Sequence, residues 1–256
     1  MRANYGIDAP AVIRNLLLVA VGGLLIWGTA RARLWSGIVG NQHVRINIAH
    51  TVLWPAVACG LMAAWMIWHS AVGKVRERET LLGQLQWTGS EQVLDVGCGR
   101  GLFLIGAAKR LTTGTATGVD IWQAEDLSGN RPDATLENAR LEGVAERVKV
   151  ETADMRKLPF PDASFDTVVS SVAIHNLYAA EDRAKAIAEI ARVLRPQGQV
   201  LIDDIRHGAE YTRLLTAAGC TVRRTDARAA SLLLTIVTFG ALQPVTLVAR
   251  KGSLSS

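Results

Sequence analysis

Hydrophobic and polar positions fall into two regimes that meet near residue 74. Leu16–Ala30 is apolar apart from Thr29, and the stretch extends back towards Ala9 past Arg14 and Asn15. Ile46–Val72 carries only His50, Thr51, His69 and Ser70 as clearly polar groups. A bilayer crossing takes about 20 mostly apolar residues. The second stretch has them, and the first does when 9–30 is taken whole. The pattern therefore predicts two transmembrane helices, about 9–30 and 46–72, with Gly22-Gly23 on one and Ala56, Ala58 and Gly60 on the other allowing close packing. A cleaved signal peptide is the competing account of the first, since Arg2 and Arg14 precede it and Ala30-Arg31-Ala32 follows. A buried pair of helices in a globular domain competes less well, because both stretches are apolar around most of their circumference.

From Lys74 the pattern changes. Lys74–Trp87 mixes charge with Leu81, Leu82 and Leu85 at helical spacing, predicting an amphipathic connector over 74–90. Strands and helices then alternate. Strands are predicted at Gln92–Val96, Thr115–Asp120, Val148–Thr152, Phe165–Val172 and Gln199–Ile205, with two more near Thr221–Thr225 and Val245–Arg250. Helices are predicted at Leu102–Leu111, Ala134–Glu142, Glu181–Leu194 and Ala209–Ala218, the third ending where Pro196 and Gly198 break it. The order reads as an α/β, doubly wound, mostly parallel seven-stranded sheet over 91–251, preceded by the two membrane helices. Ala229–Ala241 is apolar but too short to span. It reads as a buried strand or helix, or as a lid or membrane-facing flap.

Composition narrows the classes. The 256 residues suffice for one α/β domain plus an appendage, and the mean hydropathy of +0.20 comes mainly from the first 73. A net charge of +5 and a pI near 9.4 would suit an anionic partner, yet the basic residues are scattered without a dense block or interleaved aromatics. That argues against nucleic acid. Cys59, Cys98 and Cys220 make neither a disulfide framework nor a metal-ligand spacing, and read as inert thiols.

The densest chemical signal is Val93-Leu-Asp-Val-Gly-Cys-Gly-Arg-Gly101. A strand leads to Asp95, then Gly97, Gly99 and Gly101 permit a tight turn and close approach of a ligand to the backbone. A nicotinamide fingerprint would need a glycine where Leu102 stands, and the lysine of a phosphate-binding P-loop is absent. Asp120 follows at the end of the next strand, about 20 residues on, where a carboxylate can accept ribose hydroxyls. Thr152-Ala-Asp154-Met155, Leu158-Pro-Phe-Pro161, Ser164-Phe-Asp-Thr-Val-Val169 and Leu194-Arg-Pro-Gln-Gly-Gln199 come in order after it.

Together these runs, over about Leu81–Arg250, resemble the class I S-adenosylmethionine (SAM)-dependent methyltransferases, in particular the quinone-biosynthesis branch. The resemblance implies SAM as cofactor. It assigns the methionine portion to the backbone of Gly97, Gly99 and Gly101, the amino group to Asp95 and the ribose to Asp120. Ile121 or Trp122 would lie against adenine, Asp154 would accept from its amino group, and the Met155 backbone would meet the ring. Ser171, at the end of the fourth strand, joins the cofactor contacts. Because SAM is made in the cytosol, the catalytic domain is expected on the cytoplasmic face. Arg2, Arg14, Lys74, Arg76 and Arg78 on that side against Arg31, Arg33 and Arg45 opposite agree in direction.

For the acceptor the sequence offers His175, just past the fourth strand, as a base whose near-neutral intrinsic pKa suits the task. The alternative is that its ring only packs over the cofactor or bonds the backbone. Asp203, Asp204, His207 and Tyr211 follow the fifth strand and are candidates for the acceptor pocket, or one aspartate caps the next helix. No independent ligand set makes them a metal site. The run Ser170–His175 lacks the Asn/Asp-Pro-Pro-aromatic sequence of nucleobase amino-methyltransferases, and the cysteines do not supply an arsenite site. The expectation is a membrane-anchored methyltransferase for a small, lipophilic acceptor. The competing class is a SAM-binding sensor or membrane scaffold without turnover.

Overall fold

The computed structural model describes residues 3–36, 38–40, 45–123, 127–225 and 242–253. The apolar segment 229–241 lies outside them. The chain divides into two units: Gly6–Lys74 with Gln123–Gly129, and Met1–Tyr5 with Val75–Trp122 and Asn130–Ser256.

In the first unit, helix α1 (Pro10–Arg31) opens on a proline, whose fixed φ suits a first turn, and ends on a basic residue. Strands β1 (Ile38–Gly40) and β2 (Arg45–Asn47) form a short antiparallel ribbon. Helix α2 (Ile48–Trp68) is capped by the Asn47 side chain, which accepts from the His50 amide at 3.0 Å. Both helices are long and apolar enough to cross a membrane, and most of their large side chains, among them Leu18, Leu25, Trp54 and Leu61, are exposed. They pack through small residues. A Cβ on Gly23 would lie 2.6 Å from the Ala56 Cβ, whereas Gly22 faces open space. A π-turn, His69–Gly73, ends the unit. There Lys74 is buried, donating to the Gly6 carbonyl at 2.8 Å and to Asp8 Oδ1 at 3.1 Å. Its charge is therefore paired inside the unit.

The second unit holds α3 (Lys74–Leu82), whose Leu81 and Leu82, with Leu85 after it, are buried against Phe103, Val169 and Leu201. Arg78 is also buried, paired with Glu79 and set over the Tyr5 ring. Next come β3 (Gln92–Val96), α4 (Leu102–Ala108), β4 (Thr115–Asp120), α5 (Pro132–Leu141), β5 (Val148–Thr152) and β6 (Phe165–Ser171). They are followed by α6 (Ala180–Val193), β7 (Leu194–Asp204), α7 (Gly208–Ala217), β8 (Cys220–Arg224) and β9 (Val245–Lys251). The strand order is β5-β4-β3-β6-β7-β9-β8, parallel except for β9, which runs antiparallel to both neighbours.

Alternation along each strand feeds cores on both faces, so the central strands read as continuous apolar runs. Val168, Val200 and Ile202 join the cluster under α6 and α7, while Val169 and Leu201 join the one under α3. Two boundaries differ most from the sequence reading: the connector helix predicted over 74–90 ends at Leu82, and the fifth strand starts earlier than predicted. The fifth strand begins at Leu194 rather than Gln199, because Leu194 pairs with Phe165 before the chain bulges through 195–198 and resumes with Gln199 opposite Thr167. A Cβ at Gly198 would lie 2.9 Å from the Asp166 carbonyl oxygen, so the bulge admits only glycine there.

Candidate active site

The chain leaves β3 for β4 on one side and later returns to lay β6 on the other. This places a crevice at the carboxyl ends of these strands. Asp95, Asp120, Ser171 and the segment carrying His175 all stand at those ends.

Asp95 is 1% exposed. The Leu104 amide, in the first turn of α4, bonds its carboxyl, yet Oδ2 is buried with no hydrogen-bond partner. Burial, with a smaller contribution from the charge of Asp120, pushes the carboxyl up to about 8. A buried acceptor left unsatisfied beside a glycine loop is a place made for a donor that the fold itself does not supply.

Gly97, Gly99 and Gly101 have φ of 76°, 51° and 83°. At Gly97 a Cβ would overlap that of Ala173 and sit 3.6 Å from the Met155 Cε, so this glycine lets the loop, the end of β5 and the segment after β6 converge. Gly101 meets Thr135 Cγ2 in the same way, at 2.8 Å. Helix α5 fixes the loop from outside: Thr135 Oγ1 donates to the Gly99 carbonyl at 2.7 Å and Asn138 Nδ2 to that of Arg100 at 3.0 Å. Asn138 also clamps Asn4, accepting from its amide at 2.8 Å and donating to its carbonyl at 2.9 Å. These supports were not read from the sequence; Thr and Asn inside a short helix carried no distinctive signal.

Asp120 braces the same loop. Its Oδ2 accepts from the Gly99 amide at 2.8 Å, and its Oδ1 from the Trp122 amide at 2.6 Å and Asn130 Nδ2 at 3.2 Å. Each carboxylate oxygen has two lone pairs, so capacity remains for a further donor. Ile121 is exposed beside it, an apolar platform at the strand end. Trp122 turns away at φ 62°, its Nε1 donating to Thr152 Oγ1 at 2.8 Å. Asp154 is occupied by Arg156, whose Nε and Nη2 reach its carboxylate at 2.6–3.0 Å and which also bonds Asp182. That fork holds the carboxyl below its usual range and competes with the adenine role the resemblance implies. Cys98 packs against Gly118, and burial raises its thiol well above the ordinary value. It is an inert filler.

Past β6 the backbone is strained: Val172, a β-branched residue, holds φ 49°. His175 follows in a short 3₁₀ turn, Ile174–Asn176. Its Nδ1 lies 2.6 Å from Asp204 Oδ1, and its amide donates to Asp204 Oδ2 at 3.1 Å. Asp203 and Asp204 diverge as strand neighbours must: Asp203 accepts from Thr246 Oγ1 at 2.7 Å, Asp204 from Tyr211 Oη at 3.3 Å. Among the described residues, no group of three or more His, Cys, Asp or Glu is placed to hold a metal.

Comparison with known proteins agrees with this geometry. Residues 94–202 match the sequence model of the methyltransferase domain family. The chain is 35% identical over 130 residues to methyltransferase GfsG of Streptomyces halstedii, covering 51% of this chain and 43% of that protein. It is 34% identical over 132 residues to 27-O-demethylrifamycin SV methyltransferase of Amycolatopsis mediterranei, covering 50% and 44%. The chain thus spans about half the length, or less, of the curated relatives it matches. Among solved structures it is similar to geranyl diphosphate methyltransferase in complex with SAM, with a TM-score of 0.54 at 18% identity over 69% of this chain and 85% of that one.

Residues 94–202 are thus similar to a methyltransferase domain, and the fold is the Rossmann-like one of SAM-dependent methyltransferases. The residues present fit that cofactor, since the unpartnered Asp95 oxygen and the glycine cradle stand where a cationic amino acid and its adjoining nucleoside would lie.

Proposed function

We propose that this chain is a membrane-anchored SAM-dependent methyltransferase acting on a small, lipophilic acceptor, with its sheet domain on the cytoplasmic face. The observation that carries the catalytic reading is the buried, unpartnered Asp95 Oδ2 beside the three positive-φ glycines. The cofactor supplies an already activated methyl group on a sulfonium. Asp95 accepts from its ammonium, Asp120 from its ribose hydroxyls, and Ile121 and Met155 flank the base. His175 receives the acceptor's proton. Little other side-chain chemistry is needed, because aligning the reactants and excluding water supply most of the rate.

A lipophilic acceptor is supported at the site itself. Val172 and Tyr178 stand exposed on either side of the His175 turn, Tyr178 almost completely at 96%. The relative from Amycolatopsis mediterranei is named for a rifamycin acceptor.

Membrane anchoring is supported by the exposed apolar surfaces of α1 and α2. Residues 3–5 are built into the sheet unit through the Asn4–Asn138 clamp and the buried Tyr5, and the chain re-enters that unit at Val75. An excursion that begins and ends on one side must cross a bilayer an even number of times. Cleavage as a signal peptide would remove the clamp as well.

Titration calorimetry of the full chain in nanodiscs tests the cofactor reading. SAM should bind, and Asp120→Ala, which loses both the ribose acceptor and the loop brace, should bind at least tenfold more weakly; unchanged affinity would overturn the assignment. Labelled methyl transfer onto fractionated extracts tests the rest. Label confined to the aqueous fraction would sink the lipophilic acceptor, and tight binding without turnover on any extract would favour a sensor or scaffold.

A further inference from the structure

We propose that the helical unit holds one anionic phospholipid of the bilayer, with its headgroup on Arg14 and an acyl chain in the apolar groove beside that residue. This rests on the membrane-anchored reading above.

A groove of about 380 Å³ lies between the first half of α1 and the end of α2. Ile13, Leu17, Leu18 and Val21 line it from α1 and Ile67 from α2, so its wall is almost wholly apolar. Positions 14, 17, 18 and 21 recur at intervals of three and four, which puts them on one face of the helix. Arg14 heads that stripe and is the charged residue of the lining. A helical side chain leans towards the N-terminus of its helix, so the guanidinium extends from the apolar wall towards the membrane interface.

Nothing within the unit neutralises that charge. Among the described residues Arg14 meets no carboxylate; its Nε and Nη2 each lie 3.4 Å from the neutral Asn15 Oδ1. The first turn of α1 carries no acidic residue. Asp8, just before the helix, is already engaged by Lys74 Nζ at 3.1 Å and by Ser70 Oγ at 3.2 Å. An ionised side chain on a membrane helix is costly unless it finds a partner, and here the fold supplies none.

The complement of this pairing is an amphiphile. Its head must offer anionic oxygens to the planar fork of guanidinium donors, and its tail must be hydrocarbon. Phosphatidylcholine has the tail, but its own ammonium already neutralises the phosphate. Phosphatidylglycerol offers the tail and an uncompensated negative charge. With the sheet domain on the cytoplasmic face, this end of α1 lies in the leaflet where anionic lipids gather. Arg31, in the last turn of the same helix, provides an internal comparison. It stands about 25 Å further along the axis, well beyond a Debye length of about 8 Å.

The test uses the full chain in phosphatidylcholine vesicles with a trace of spin-labelled phosphatidylglycerol or spin-labelled phosphatidylcholine. Electron spin resonance reads how much of each probe the protein immobilises. The wild type should hold the phosphatidylglycerol probe about fivefold more strongly. Arg14→Gln should remove that preference and Arg31→Gln should keep it. Equal loss in both variants would mean diffuse attraction to surface charge, and overturns the site. Val21→Trp fills the groove and leaves Arg14 in place, so it should also remove the preference; a preference that survives overturns the groove as the seat of the acyl chain. Should Val21→Trp fail to insert, the contrast between Arg14→Gln and Arg31→Gln still decides. A wild-type chain that resists extraction by alkaline carbonate yet shows no headgroup preference overturns this site alone. A chain that alkaline carbonate strips from the vesicles overturns the membrane reading and the site with it.

Discussion

Asp95→Asn separates the electrostatics of the site from its shape. The substitution keeps the side-chain outline and removes the only ionisable group in that buried position. In the folded, cofactor-free protein the carboxyl titrates near 8, against 3.8 in its ordinary state. Between those values the folded chain holds a proton that the unfolded chain has released. Stability from this group is therefore complete below pH 4 and drains away as pH rises towards 8, at up to about 1.4 kcal/mol per pH unit. Asp95→Asn should abolish that slope, so its unfolding midpoint gains on the wild type steadily from pH 5 to pH 8.

Binding should show the opposite trend. At pH 7 only about one Asp95 in ten is ionised, and the ammonium of SAM draws the rest into the charged form. Complex formation should release roughly 0.9 proton at that pH, measurable by calorimetry in buffers of different ionisation enthalpy. Affinity should climb from pH 6 to a maximum near 8, beyond which the α-amine of the ligand loses its own proton. A charge-assisted hydrogen bond contributes about 2–3 kcal/mol, so Asp95→Asn should bind SAM roughly 30- to 150-fold more weakly at pH 8. The gap should nearly close at pH 6, where the wild type must first spend a similar energy ionising Asp95. Flat wild-type affinity with no proton release, or equal binding by the variant at pH 8, would refute the reasoning.

Two other substitutions probe packing. Gly97→Ala places a methyl group onto Ala173 at a positive φ, and should cost about 2 kcal/mol or more and abolish SAM binding, read by thermal unfolding with and without ligand. Gly23→Leu inserts a side chain where α1 and α2 touch and should destabilise the helical unit by about 1–3 kcal/mol without changing SAM affinity of the sheet unit; unaltered unfolding in detergent would contradict the close approach.

Local information was strong in this chain. Every strand of the sheet lies within a few residues of its predicted place, because buried parallel strands leave long apolar runs bounded by glycine, proline or polar turns. The glycine loop and Asp95 were legible for a similar reason: consecutive residues encode a backbone conformation, whatever packs around it. The lengths and apolarity of α1 and α2 are likewise properties of contiguous sequence.

What the tertiary structure decided lies between segments. Asp203 and Asp204 are equivalent in sequence, and only the register of β7 against β6 and β9 sends one to Thr246 and the other to His175. Lys74 and Arg78 read as charges beside a membrane, but burial pairs them with Asp8 and Glu79. Leu81, Leu82 and Leu85 read as one face of a connector and proved to be core. Thr135 and Asn138 brace the loop across more than thirty residues of sequence, a distance over which no periodic pattern carries information. The cofactor cradle was written in one run of residues because a backbone turn is a local property. The His175–Asp204 pair was not, because two side chains meet only after the strands that carry them have been laid side by side.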